Sequence, residues 1–186
     1  MLARLCIILG VCLSTSAFAI VNLQAGIIPA TSSFKTGYGV LLEYDPLPFV
    51  SIGSGLISRE SKVDPVSLNG ASLSVDFGSV MQIPVYLKLN SPELPFSGLS
   101  AHASVGYMLN SPETESVSAY SSDLNSTVFF ALGLNYDIAP FIDLGVTAFF
   151  NKFERDVTQL TLGAPVSSTT IKEDDTFYMI HLGIDF

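Results

Sequence analysis

The 186-residue chain has no tryptophan, only two cysteines and few charges. Asp, Glu, Lys and Arg together make up 13% of it, against 48% hydrophobic residues, whereas a soluble domain carries about 25% charged residues. There is too little charge to coat a surface that faces water on all sides. Both cysteines, Cys6 and Cys12, fall in the first 12 residues, so the rest of the chain can form neither a disulfide framework nor a thiolate metal site. Basic residues are scarce too: 8 Lys and Arg stand against 17 Asp and Glu. That acidic balance argues against nucleic acid as a partner, since binding to phosphate backbones rests on cationic side chains. Beyond about residue 20 no apolar run approaches the roughly 18 residues needed to cross a bilayer as a helix. A chain this apolar without a spanning helix can enter a membrane only as a closed β-barrel, because every backbone donor and acceptor in lipid must find a partner within the protein.

What is present begins with a tripartite N-terminus. Arg4 precedes the apolar stretch Leu5 to Leu13, then come Ser14-Thr15-Ser16 and Ala17-Phe18-Ala19. This pattern predicts a secretory signal over 1–19, cleaved after Ala19, and a single domain over 20–186. Val11 before Cys12 is too bulky for a lipoprotein cleavage site. Without Arg4, seven basic residues face 17 acidic ones, a net charge of −10.

The final stretch alternates. Tyr178, Ile180, Leu182, Ile184 and Phe186 form one apolar set, and Phe177, Met179, His181, Gly183 and Asp185 the other. Period 2 marks a strand, and an apolar face opposite a mixed face of small, polar and charged residues suits a strand between lipid and lumen. The same alternation recurs in about seven earlier segments. They run from Ile20 to Ile28, Gly37 to Tyr44, Phe49 to Arg59, Val80 to Asn90, Leu99 to Leu109, Val128 to Tyr136 and Ile142 to Phe150. Short connections at 45–48, 91–98 and 137–140 alternate with long polar stretches at about 60–79, 110–126 and 155–175, which read as loops. The expected fold class is therefore all-β: an eight-stranded antiparallel up-and-down transmembrane barrel. A soluble barrel would put its polar face outward, but here that face holds Gly39, Gly53, Gly55, Gly106, Gly133, Gly145 and Gly183, small residues suited to a narrow interior.

Three stretches carry a family resemblance: Gln82-Ile-Pro-Val-Tyr-Leu-Lys-Leu-Asn90, Gly106-Tyr107, and Gly133-Leu-Asn-Tyr-Asp-Ile-Ala-Pro140. With the C-terminal Phe186, they resemble the small bacterial outer-membrane barrels of the OmpA and OmpX type. Pro84, awkward inside an ordinary strand because it donates no ladder bond, fits that resemblance. The resemblance implies location in the bacterial outer membrane and contact with its lipids and lipopolysaccharide. It also implies recognition by the barrel-assembly machinery, with Tyr178, Ile180, Leu182, Ile184 and Phe186 as the assembly signal.

The chemistry-bearing residues fall on the inward set. Glu43, Lys88, His102, Asp137, Asp143 and Asp185 lie toward the short-turn ends of their strands and are expected to form a lumen charge network. Hairpin register is expected to set Lys88 opposite His102 and Asp137 opposite Asp143. A paired network plugging the lumen is favoured over an ion pathway, because buried charges persist when paired. His102-Ala-Ser104 superficially resembles the His-x-Ser step of outer-membrane lipid A deacylases. Both side chains are expected to point inward, away from any acyl chain, and the asparagine that follows in that family is missing. Glu173-Asp174-Asp175 lacks the spacing of a Ca²⁺ loop and reads as a solvated loop tip. No catalytic residue, metal site or cofactor is implied. The expected role is structural or surface-interacting, with loops at about 59–79, 110–126 and 153–176 meeting an external ligand or host surface. The alternatives are a small pore for small or hydrophobic solutes, of the OmpW type, and a deacylase.

Overall fold

The computed structural model describes residues 21–62, 64–68, 71–75, 78–94, 97–111, 120–161 and 164–186; the expected signal segment lies outside them. Eleven strands are present among these residues: β1 (Val21–Ile28), β2 (Gly37–Leu47), β3 (Val50–Glu60), β4 (Asp64–Leu68), β5 (Ala71–Val75), β6 (Ser79–Asn90), β7 (Leu99–Asn110), β8 (Tyr120–Leu124), β9 (Thr127–Ala139), β10 (Ile142–Thr161) and β11 (Ala164–Asp185). Neighbours pair antiparallel in the order β1-β2-β3-β6-β7-β9-β10-β11, and β11 pairs back onto β1, from Asn22 opposite Asp185 to Ile27 opposite Ile180. The ring closes with eight strands, as the alternation predicts. β8 hangs on the upper part of β10, and β4 and β5 form a separate hairpin.

Alternation sets which way each side chain points. Outward on β6 are Met81, Ile83, Val85, Leu87 and Leu89, while Gln82, Pro84, Tyr86 and Lys88 are buried inside. The apolar set of β11 faces out in the same way, from Tyr178 to Phe186. This inverts the usual partition: Phe141 and Phe186 are 65% and 69% exposed, while Arg59 and Arg155 are 1% and 0% exposed. Outward aromatics form two belts, with Tyr44, Phe49, Tyr136, Phe141 and Phe186 at the short-turn end and Tyr38, Tyr107, Phe130, Phe150 and Tyr178 at the other. From Tyr178 to Phe186 is about 26 Å along a strand at about 3.3 Å per residue. Tilted as barrel strands are, this gives a band roughly 20 Å tall, close to the apolar band of membrane barrels.

Several boundaries differ from the expectation. Two of the short turns are tighter, because β2 continues through Pro46 to Leu47 with an irregularity after Tyr44, and β9 continues to Ala139. The 155–175 stretch is not a loop. β10 and β11 stay paired as far as Thr161 opposite Ala164, well past the outer aromatic belt. Both faces of a hairpin standing in water can be polar, so the apolar alternation that marks a membrane strand stops there while the pairing goes on. The stretches at 60–79 and 110–126 likewise contain β4, β5 and β8. Pro84 interrupts the ladder as its chemistry requires: the β3–β6 pairing skips from Ser54 opposite Val85 to Ile57 opposite Gln82.

Candidate functional site

The lumen is the one enclosed environment the fold builds from all eight ring strands, and its side chains stack in three levels. At the short-turn mouth, all eight ring strands contribute a polar or charged residue to an open cavity of about 350 Å³. Glu43 ion-pairs with Lys88 and also accepts hydrogen bonds from the Tyr86 hydroxyl at 2.8 Å and from Gln24 Nε2 at 3.1 Å. Lys88 and Glu43 are nearly fully buried, so the pair is held by geometry and satisfied lone pairs. The Asn22 amide donates to Asp185 at 2.6 Å and to Asp143 at 3.2 Å. Asp143 lies opposite Asp137 in the β9–β10 ladder, as expected, with Asp137 exposed at the rim.

The register of the β6–β7 hairpin differs from the expected one. Lys88 lies opposite Ser104, and His102 lies opposite Asn90. A shift of two residues keeps every side chain on its face, so alternation alone could not detect it. His102 sits one level deeper, its Nε2 3.0 Å from Thr147 Oγ1, which is in turn 3.2 Å from His181 Nε2. Of the six expected network residues, the structure joins Glu43 to Lys88 and Asp143 to Asp185 through Asn22. It leaves His102 in a separate His-Thr-His chain. Asn22, Gln24, Tyr86, Thr147 and His181 complete these contacts and were not among the expected site residues; each lies on the inward set, which was the available signal.

The waist is aromatic. Tyr86 meets Phe129 edge-on at 6.1 Å, Phe129 lies 5.6 Å from Phe149, and Phe149 stacks on Phe177 at 4.8 Å with the rings 8° apart. Leu41, Ile57, Met108 and Met179 fill in around them. The free space left between mouth and waist is about 10 Å³, room for one water at most. Glycines make this packing possible: a Cβ on Gly53 would stand 2.2 Å from the Tyr86 ring, and one on Gly133 would stand 2.3 Å from His102. The expectation of a lumen closed by charge is therefore corrected in part, since an apolar, aromatic layer blocks it above the charged mouth.

Above the waist, Arg59 lies between the rings of Phe34 and Phe177, at 4.0 and 4.1 Å from their centroids. It donates to Asp175 at 2.5 Å and twice to Gln82 Oε1, at 2.7 and 3.0 Å. Asp175 is thus a buried partner of Arg59, not part of a solvated loop tip, while Asp174 meets Lys152 at the surface, 3.3 Å away. Phe34 reaches this position because the β1–β2 connection folds inward: an isolated bridge joins Phe34 to Ser61, and Lys35 N donates to the Glu60 carbonyl at 2.7 Å. Nothing in the alternation announces this lid, because residues 29–36 carry none.

No protein-family model matches the chain, and no curated protein matches it. Its fold is similar to that of solved outer-membrane proteins. Against the crystal structure of OprG from Pseudomonas aeruginosa the TM-score is 0.55 at 14% identity, covering 89% of this chain and 94% of that one. Against the solid-state NMR structure of AlkL in DMPC lipid bilayers it is 0.53 at 17% identity, covering 89% and 87%. At such identities the likeness extends to the fold, a closed eight-stranded antiparallel barrel of the outer-membrane kind.

Proposed function

We propose that the chain is a bacterial outer-membrane barrel with a structural or surface-interaction role, exported by a signal over residues 1–19 and presenting its long-hairpin end to the exterior. The observation that carries this reading is the inverted partition: an aromatic-bordered apolar belt faces outward around a lumen that is ion-paired at one end and aromatic at the waist. Lipids and lipopolysaccharide contact the belt, the barrel-assembly machinery reads the terminal strand, and an external ligand or host surface meets the outer hairpins. The finer kinship with OmpA- and OmpX-type barrels belongs to this proposal, as the resemblance of Gln82–Asn90 and Gly133–Pro140 suggests. A solute pore is the second reading, and it would require the Phe129, Phe149 and Phe177 rings to move aside. The geometry disfavours a deacylase, since His102 bonds to Thr147 instead of activating Ser104, and both are buried inside the barrel. Cell fractionation with N-terminal sequencing, protease shaving of intact cells and single-channel recording test the proposal together. Outer-membrane recovery of a chain starting at Ile20, cuts confined to the outer hairpins and absence of steady conductance are expected. Recovery from the soluble periplasm would overturn it, and steady conductance would favour the pore.

A further inference from the structure

An apolar row and a charged pair meet on the outward face of β9, β10 and β11. Phe130 and Phe150 stand opposite each other in the β9–β10 ladder and belong to the outer aromatic belt. Beside Phe150 on β11 stands the smaller Thr176. Two residues farther out, about 7 Å along the strand, Lys152 stands opposite Asp174 and pairs with it at 3.3 Å. Between the aromatic row and this pair, with Val128 at its side, lies an open cavity of about 380 Å³. Its lower wall continues the apolar band, while Lys152 and Asp174 on its upper rim are 84% and 76% exposed. Apolar surface followed within a few ångströms by charge matches a membrane lipid, read from its chains to its headgroup.

The rim charges select among lipids. Lys152 and Asp174 cancel, and beyond them Lys172 and Glu154 form a second exposed pair at 2.7 Å that cancels as well. An anionic headgroup therefore meets no net positive charge, whereas a zwitterion meets a partner for each of its charges. Exposed pairs contribute little by themselves, so opening one to admit a headgroup costs little.

We propose that this groove holds one phosphatidylethanolamine molecule. Its phosphate accepts from the Lys152 ammonium, its primary ammonium donates to the Asp174 carboxylate, and its chains run down over Phe130 and Phe150. Both head contacts are charge-assisted hydrogen bonds. A quaternary choline has no N–H to give Asp174, so phosphatidylcholine satisfies only half of the rim. The volume lies in the range of small-molecule pockets and takes the part of one lipid between head and chains. The inference rests on the reading of the apolar band as the lipid-facing wall of a membrane barrel.

The test is native mass spectrometry of the folded full chain in detergent micelles, titrated with phosphatidylethanolamine and in parallel with phosphatidylcholine, phosphatidylglycerol and lipid A. One saturable phosphatidylethanolamine adduct is expected, with the other three lipids held at least about tenfold more weakly. Lys152→Gln or Asp174→Asn, both at exposed positions, weakens that adduct at least about tenfold. Lys172→Gln, outside the groove, leaves it unchanged. Should a groove variant fail to fold, the backbone amides of Val128, Lys152 and Asp174 in the unmutated protein report the same event. They shift saturably as phosphatidylethanolamine is added to phosphatidylcholine nanodiscs. Equal retention of any of the other lipids, unchanged affinity in folded groove variants, an equal loss in Lys172→Gln, or the absence of a saturable adduct and shifts would each overturn the proposal. Heat-modifiable migration in phosphatidylcholine vesicles tests the membrane barrel separately: a chain that inserts there but holds no phosphatidylethanolamine keeps the barrel and loses only the groove.

Discussion

Lys88 shows how much one side chain can carry inside a barrel. Its ammonium is buried against Glu43, which also accepts from Tyr86 and Gln24. Removing the cation leaves a carboxylate with two neutral donors in a poorly hydrated interior, and breaking a buried pair from one side costs about 3 kcal/mol or more. Lys88→Met is expected to lower the urea-unfolding stability by about that amount while leaving bilayer conductance unchanged, because the aromatic waist lies beyond it. Unchanged stability would mean that the Lys88–Glu43 pair is not formed. On the outer hairpin a gentler effect operates. The Thr170 hydroxyl at 2.5 Å and the Asn125 amide at 3.0 Å hold the exposed Asp156 carboxylate below its ordinary range. A depressed carboxylate contributes stability above its unfolded pKa and loses it as pH falls through the folded one. The stability this carboxylate contributes is therefore lost only in acid, and Thr170→Val is expected to move the Asp156 titration upward, as an NMR pH series on that carboxyl would read.

Among the elements, β11 does the most. It closes the ring by pairing with both β1 and β10, and its outward set ends on Phe186, the most exposed large apolar residue of the described chain. Phe186→Asp places a charge at the inner rim of the lipid band and removes the aromatic end of the strand. The variant is expected to accumulate unfolded instead of showing the heat-modifiable migration of a folded barrel; normal migration would remove the assembly role from Phe186. The eight ring strands were legible in the sequence because lipid and lumen impose opposite demands on successive residues, which makes period 2 a strong signal wherever the wall touches both. The signal fails where one demand is lifted. Beyond the outer belt neither face of the hairpin meets lipid, so 155–175 looked like a loop, and Asp175 lost its identity as the Arg59 partner. Register was partly legible. Asp137 stands opposite Asp143 because the ladder shifts by one residue after the Ile142–Ala139 pair at the tight turn, whereas the longer 91–98 connection allowed the two-residue shift that separates Lys88 from His102. Phe129 and Phe177 fall on the inward set by parity, but parity does not say that side chains from different strands meet, and so the aromatic waist is not legible in the alternation.

For the molecule as a whole, the question is whether an eight-stranded wall encloses a path. Its diameter leaves an interior that side chains can just fill, and what fills it here changes along the axis from charged to aromatic to the stacked guanidinium of Arg59. A hydrated ion entering the mouth would be drawn by the carboxylates and then stopped, because about 10 Å³ of space at the approach to the waist admits no ion with its water shell. An apolar constriction of this kind excludes water as well as charge. The unmodified chain in planar bilayers is therefore expected to show no steady conductance. Truncating the three waist rings together, as Phe129→Ala, Phe149→Ala and Phe177→Ala, removes the aromatic layer while leaving the outward face intact and the Arg59 layer above it in place. Each truncation of a buried Phe costs about 3–5 kcal/mol, so the triple variant must first be shown to fold by its heat-modifiable migration. If folded, it is expected to conduct only when Phe34→Ala and Arg59→Ala are added to open the layer above the waist, and then to favour cations, since the mouth carboxylates line the open path. The control is Phe150→Ala, next to Phe149 in the chain but facing outward, which removes equal bulk from the lipid side and is expected to leave the barrel closed. Conductance in the unmodified chain, or an equal effect of Phe150→Ala, would show that the aromatic waist is not what seals the lumen.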